Sequence, residues 1–226
     1  MIITIDGPTA TGKSTIAKKL AHEIGYIYFD TGAMYRCVTF AVLKNHIDPD
    51  NRTELQKILD QFHFEIKIKH GDRVYFVDGE DVSLKIRGNE ITSHVSKISA
   101  IPAVREKLVA LQREHAVGVN AVFEGRDMGT TVFPEAKIKI FLTGRPEVRA
   151  SRRLEELKIK FPAEAKDLTL ESVLAEMEAR DRYDEQREYS PLKKAKGAYE
   201  IDTSDLTTDE VIFKILEYKD SVKTTS

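Results

Sequence analysis

A chain of 226 residues, 41% hydrophobic and 32% charged, suits one globular domain or a core domain with a small insertion. Its net charge of −2 excludes a whole-surface positive field for nucleic acid or membrane, so any anion site must be built from local clusters. A single cysteine, Cys37, excludes an internal disulfide framework and favours a reducing cytoplasm, and no apolar run reaches the length that spans a bilayer.

The chain opens on Met1-Ile2-Ile3-Thr4-Ile5-Asp6, a β-branched run that predicts a buried strand at once and no signal peptide. Gly7-Pro8-Thr9-Ala10-Thr11-Gly12-Lys13-Ser14-Thr15 follows, a G-x-x-x-x-G-K-S phosphate-binding loop. Its glycines let the backbone turn N–H groups toward phosphate oxygens, and the helix behind it adds a partial positive charge at the same place. Lys13 can reach the β- and γ-phosphates of a nucleotide and Ser14 can ligate Mg²⁺. Ile16, Leu20 and Ile24 mark one face of that helix, and Gly25 stops it.

Tyr26-Ile27-Tyr28-Phe29 predicts a second strand, followed by Asp30-Thr31-Gly32 and a helix to about Lys44 with Met34, Val38 and Ala41 in register. Strands alternating with helices argue a parallel sheet with helices on both faces, whose ligands sit at the carboxyl ends of the strands. Arg36 lies just past such an end and is a candidate anion contact. Residues 45–51 read as a loop, and Thr53 is expected to cap a short helix carrying Leu55, Ile58, Leu59 and Phe62. The period then changes to two: Phe62, Phe64, Ile66 and Ile68 alternate with charged or polar neighbours. His70-Gly71-Asp72 turns the chain and Arg73–Val77 returns it. An antiparallel hairpin over about 60–82 is therefore expected as an inserted subdomain. Its histidines have no other ligand types at metal spacing.

Helix returns over 83–115, in one segment marked by Ile91, Val95 and Ile98 and another opened by Pro102 with Val104, Leu108 and Leu111 inward; Ser96 and Arg105 project from this pair. Val119–Phe123 predicts a third buried strand. It ends in Glu124-Gly125-Arg126-Asp127-Met128-Gly129-Thr130, where a structural turn accounts for the glycines but not for the charges. Ile138–Leu142 is a fourth strand. Pro146 opens a helix whose Arg149, Arg152 and Arg153 share a face by spacing, and a helix from Thr169 carries Arg180, Asp184 and Arg187 on another. Two arginine-rich faces in a chain of negative net charge point to polyphosphate contact. Tyr199–Thr203 is a fifth strand, and Thr207-Thr208-Asp209-Glu210 offers a capping box to the last helix.

Taken together, Gly7–Thr15, Asp30-Thr31-Gly32-Ala33-Met34-Tyr35-Arg36, Glu124 to Pro134, the Arg180-Asp181-x-x-Asp184-x-x-Arg187 pattern, Ser190-Pro191-Leu192 and Ile201-Asp202-Thr203-Ser204 resemble the nucleoside monophosphate kinases, specifically the bacterial cytidylate kinase family. The resemblance runs over essentially the whole chain. It implies an α/β fold with a five-stranded parallel core, an inserted nucleotide-monophosphate-binding subdomain over about 45–99, and a helical lid over about 149–187; the core is 1–44, 100–148 and 188–226. It implies phosphoryl transfer from ATP to CMP or dCMP with Mg²⁺, by a cytoplasmic monomer without nucleic-acid or membrane partners. ATP would lie on Gly7–Thr15, with Ser14 at the metal and Arg149, Arg152 and Arg153 on the lid. Arg36, Arg126 and Arg187 would grip the acceptor phosphate, with Thr31 and Tyr35 beside Arg36. Ser96, Arg105 and Asp127 would read the cytosine edge, and Arg180 and Asp184 would hold the ribose; Lys13, Arg126, Asp127 and Arg187 carry the catalytic load. Glu124 departs from the pattern, which has Asp there, so its place near the metal is open.

The residues agree with this chemistry. A phosphomonoester has its second pKa near ~6 and is already a nucleophile at neutral pH, so no base is required and none is obvious. Another small-molecule kinase with a uridylate, thymidylate or shikimate-like acceptor shares most of these features. A GTP-dependent switch would need an N-K-x-D or T-K-x-D motif, which the chain lacks, and a nucleic-acid module sits poorly with the net charge.

Overall fold

The computed structural model describes residues 1–69 and 72–224. The chain divides into two compact units, one made of Met1–Phe29 and the chain from His115 on, the other of Asp30–Glu114.

The first unit is built on the parallel sheet. β1 (Ile2–Asp6), β2 (Ile27–Asp30), β6 (Ala121–Gly125), β7 (Ile138–Thr143) and β8 (Tyr199–Asp202) lie in the order β2-β6-β1-β7-β8, the expected five strands. Ile3 pairs with Val122 on one side and Ile138 on the other, and Asp6 pairs with Gly125 and Phe141, which brings the carboxyl ends of the three inner strands level. Being central, β1 and β6 are buried on both faces, which is why they read as continuous apolar runs rather than alternating ones. One face carries Ile3, Ile5, Val122, Ile140, Leu142 and Ile201 against Ile16 and Leu20 of α1 (Lys13–Glu23) and Ile212 and Ile215 of α8 (Thr208–Thr224). Phe123, one residue on from Val122, faces the other way. Its ring stacks on Phe29 at 4.5 Å between centroids and meets Phe133 at 4.6 Å. α6 (Pro146–Lys160) and α7 (Leu170–Gln186) pack on each other through Ala150, Leu157, Val173 and Met177; α7 is started by a capping box between Thr169 and Ser172.

In the second unit, α2 (Thr31–Lys44) has two apolar stripes. Met34, Val38 and Val42 pack with Leu55 and Leu59 of α3 (Arg52–Gln61), Val95 and Ile98 of α4 (Asn89–Ser99), and Val104 and Leu108 of α5 (Pro102–His115). Ala33, Cys37 and Ala41 instead pack on Tyr75, Val77, Val82 and Ile86. Burial pushes the Cys37 thiol up to about 12, which leaves it an inert packing group. The expected antiparallel hairpin is present and extended by a third strand, and one other expectation is corrected. The hairpin is a three-stranded sheet: β3 (Phe64–Lys69) and β4 (Asp72–Val77) are joined by β5 (Glu80–Asp81), turned back by Asp78 and Gly79, both at positive φ. The cap of α3 is Asn51, whose side chain accepts from the Glu54 amide, and not Thr53; both residue types cap well, and the one nearer the loop starts the helix. His70 and Gly71 of the predicted turn lie outside the described residues.

Candidate active site

The loop after β1 needs its glycine. A Cβ on Gly7 would sit 2.2 Å from the Leu142 carbonyl oxygen, so no other residue lets the chain leave the sheet there. Gly12 at φ 87° sits at the start of α1, and its carbonyl takes the first helical bond, from Ile16. Lys13, 5% exposed, lies under the loop and donates to the Pro8 carbonyl at 2.5 Å and to Thr11 Oγ1 at 3.4 Å. Burial first, then the charge of Arg126, lower its ammonium to about 7 against the pull of Glu124, Asp181 and Asp6. Ser14 Oγ donates to Glu124 Oε1 at 2.5 Å, and Tyr28 OH donates to the same oxygen at 3.0 Å. The longer side chain at position 124 therefore reaches the residue expected at a metal.

Thr9 is held three ways. Its amide donates to Asp181 Oδ1 at 2.8 Å, its carbonyl accepts from Arg149 Nη1 at 2.8 Å, and its hydroxyl oxygen accepts from Arg126 Nη2 at 3.2 Å. Arg149 and Asp181 pair with each other at 2.5 Å, both side chains 8% exposed, and Arg149 Nε also donates to the Gly144 carbonyl. The three arginines of α6 thus have separate partners despite their spacing. Arg152 donates to the Thr203 carbonyl at 2.7 Å and to the Thr203 hydroxyl, which itself donates to the Thr11 carbonyl; Arg153 pairs with Glu156.

Arg126, Asp127, Arg180, Asp184 and Arg187 gather within the same unit. Arg126 Nε donates to Asp184 Oδ2 at 3.1 Å. Arg187 Nε donates to the Ser190 carbonyl at 2.6 Å, and its terminal nitrogens stand 3.7 Å from Asp127 Oδ1 and 3.9 Å from Asp184 Oδ1. Burial, then Arg126, lower Arg180 to about 10, so it stays cationic at neutral pH. An excess of buried guanidinium over carboxylate is a place for a dianion.

The second unit holds the other expected residues. Asp30 caps α2 through the Ala33 amide and pairs with Arg87, beside Thr31. Arg36 Nη1 donates to the Ile86 carbonyl and to Thr92 Oγ1, both at 2.9 Å. Arg105 of α5 donates to the Ser99 carbonyl at the end of α4 and lies over the Tyr35 ring, 5.2 Å from its centroid. Ser96, half-buried, is one turn earlier on α4, and its carbonyl accepts the Ser99 hydroxyl. Three helices thereby bring Tyr35, Ser96 and Arg105 into one neighbourhood. Sequence reasoning did not assign Asp6, Tyr28, Asp181 or Thr203. For Asp6 a signal existed, a charge inside a β-branched run; Asp181 and Thr203 stand inside quoted motif stretches, but their partners, like that of Tyr28, lie far off in sequence.

The family model described as Cytidylate kinase matches residues 3–221. The chain is 68% identical to the cytidylate kinase of Protochlamydia amoebophila over 224 residues, 99% of this chain and 98% of that one. It is 45% identical to the cytidylate kinase of Lactobacillus gasseri over 96% of this chain and 93% of that one. Among solved structures, a shikimate kinase from Bacteroides thetaiotaomicron aligns over 97% of this chain and 98% of that one with a TM-score of 0.51 at 13% identity, a likeness of fold alone.

Proposed function

The chain belongs to the cytidylate kinase family, and from that premise we propose that it transfers the γ-phosphoryl group of ATP to CMP or dCMP, giving ADP and CDP or dCDP. The observation that carries the site assignment is the cluster of Arg126, Arg187 and Asp127 in the unit that bears the Gly7–Thr15 loop. An acceptor phosphate oxygen attacks the γ-phosphorus while the bond to the β-phosphate oxygen breaks. Lys13 neutralises charge on the β- and γ-phosphates, and Arg126 and Arg187 neutralise it on the acceptor. Arg180 and Asp184 are assigned to the ribose. Arg36 with Thr31 and Tyr35, and Ser96 with Arg105, take the acceptor roles that the family pattern gives them. Arg149 supports the loop by holding Thr9, and Arg152 and Arg153 complete the set on the ATP side. Mg²⁺ fits the residues present: the Ser14 hydroxyl is a hard oxygen donor that would hold the ion, and the Glu124 carboxylate, which accepts from that hydroxyl at 2.5 Å, would keep it oriented. The ion supplies charge neutralisation between the phosphates when bound. The enzyme is read as a cytoplasmic monomer acting on small molecules only. No helix among the described residues is long and apolar enough to cross a membrane.

Asp127 supplies the reason for choosing cytosine, whose exocyclic amine donates to a carboxylate where uracil presents a carbonyl. The uracil carbonyl would set acceptor against acceptor, a mismatch of roughly 1–3 kcal/mol, or about ten- to a hundredfold in kcat/KM. Asp127→Asn can donate to the uracil carbonyl and is expected to narrow the gap between CMP and UMP. Coupled assays of ADP release with a panel of monophosphates, on wild type and variant, test both levels. No turnover of CMP by wild type sinks the reaction; an unchanged ratio in the variant removes the base-reading role and leaves Asp127 as a partner of Arg187.

A second result follows from Lys13. Burial and the charge of Arg126 lower its ammonium to about 7 before nucleotide arrives, and phosphate favours the charged form. ATP binding is expected to take up protons at pH 8, as phosphate draws the lysine back to its charged form. Calorimetric titrations in buffers of different ionisation enthalpy measure this, and no uptake at pH 8 contradicts a neutral resting Lys13.

A further inference from the structure

Asp6 is a carboxylate at the end of an otherwise apolar strand, 2% exposed. Its two oxygens take two consecutive backbone amides: Oδ1 from Met128 at 2.9 Å and Oδ2 from Gly129 at 2.8 Å. These residues follow Asp127 directly. The next residue after Asp6 in the chain is Gly7, so one side chain ties the first residue before the phosphate loop to the segment that carries Arg126 and Asp127. Within that segment the Asp127 carbonyl accepts from the Thr131 and Val132 amides, winding Met128–Val132 into a π-helical turn. It is also tightly seated. A Cβ on Gly129 would stand 3.1 Å from Thr4 Oγ1, 3.2 Å from Ala195 Cβ and 3.4 Å from Asp6 Oδ2.

We infer that Asp6 is a positioning residue for acceptor selection: by holding the Met128 and Gly129 amides it fixes where the Asp127 carboxylate and the Arg126 guanidinium stand relative to the phosphate loop. The inference rests on the proposed reaction and on Asp127 as the base reader. Holding a carboxylate inside the sheet is costly, and burial raises Asp6 to about 7 in spite of its two amide donors. Anchoring the turn to the sheet by packing alone would need no charge. What a short carboxylate does, and an apolar or amide side chain cannot, is accept from two adjacent N–H groups at once. Asparagine offers one oxygen, and its NH₂ would face the second amide. Glutamate is one methylene longer and would push the turn away from β1.

The test is the ratio of kcat/KM for CMP over UMP, with KM for ATP and thermal unfolding measured on the same preparations. In Asp6→Asn the ratio is expected to fall by about tenfold, the scale of one lost charge-assisted hydrogen bond, and KM for CMP to rise, while KM for ATP stays within about twofold. Gly129→Ala displaces the same turn by crowding Thr4 and Ala195, with the new methyl at van der Waals distance from a carboxylate that keeps its charge and both oxygens. It is expected to lower the same ratio, and it alone decides if Asp6→Asn does not fold. A wild-type ratio in the deciding variant overturns the inference, and so does an equal rise in KM for ATP and CMP with the ratio unchanged, which is what a purely structural strut would give. A wild type that turns over CMP no better than UMP overturns the underlying reading instead, before either variant is made.

Discussion

Lys13→Ala is expected to lower ATP-dependent turnover by about a thousandfold while the protein stays folded. The lysine is the cation of the Gly7–Thr15 loop, buried beneath it and anchored on Pro8 and Thr11, with Glu124 and Asp6 among the charges acting on it. In the proposed reaction its charge would sit on the bridging region of the donor, where negative charge builds as the bond to the γ-phosphorus breaks. Fixed in a water-poor site, that charge acts with little screening. Stability follows a different sign. A lysine lowered from 10.5 to about 7 is held in the fold against its preference for charge, so its contribution is full above pH 10.5 and is lost as pH falls toward 7. Removing it at neutral pH relieves a buried cation, and the thermal midpoint of Lys13→Ala is expected to match or exceed that of wild type. Turnover near the wild-type rate in a folded variant would remove Lys13 from the chemistry. A collapse of the fold would show that its bonds to Pro8 and Thr11 are structural.

The readable parts of this chain are those whose cause is local. The Gly7–Thr15 loop lies in nine consecutive residues between a β-branched strand and an amphipathic helix, so motif and context are seen together. β1 and β6 show because central parallel strands are buried on both faces, and β7 shows through its alternation of buried Ile138, Ile140 and Leu142. β5 is missed because two residues carry no period, and the cap of α3 is displaced because Asn51 and Thr53 are both good caps two positions apart. The site is less legible than the fold for a physical reason. Arg149 looks from its spacing like one of a surface trio, but the bonds that decide its role run to Thr9, 140 positions away, and to Asp181, 32 away. Spacing along a helix says which side chains share a face; it says nothing of what the fold brings to meet that face. Glu124 is the converse case. Its departure from the family pattern is plain in the sequence, while the bonds it accepts from Ser14 and Tyr28 are not.

Arg126→Ala is expected to lower kcat by about a hundredfold or more, with KM for ATP changed by less than about threefold. Arg126 stands between the two halves of the proposed chemistry. One nitrogen holds the Thr9 hydroxyl in the loop, another holds Asp184, and its side chain keeps 19% of its surface open, so a donor remains for an acceptor phosphate. Bringing a dianionic acceptor up to the phosphates of ATP costs electrostatic work, and a guanidinium between them offsets most where the two come closest, in the transition state. Loss of the side chain therefore falls on kcat. Thr9 keeps its bonds to Asp181 and Arg149, so the loop is expected to stay formed and ATP to bind. A second readout comes from the charge alone. Arg126 is the largest electrostatic cause of the lowered Lys13 ammonium after burial, so without it Lys13 moves back toward its usual range. Proton uptake on ATP binding at pH 8 should then shrink in Arg126→Ala. A structural strut between Thr9 and Asp184 would behave otherwise, with KM for both substrates and the thermal midpoint moving together while kcat stayed near wild type. Steady-state kinetics with each substrate varied in turn, beside buffer-dependent calorimetry, separates the two: a preserved kcat would take the acceptor phosphate away from Arg126.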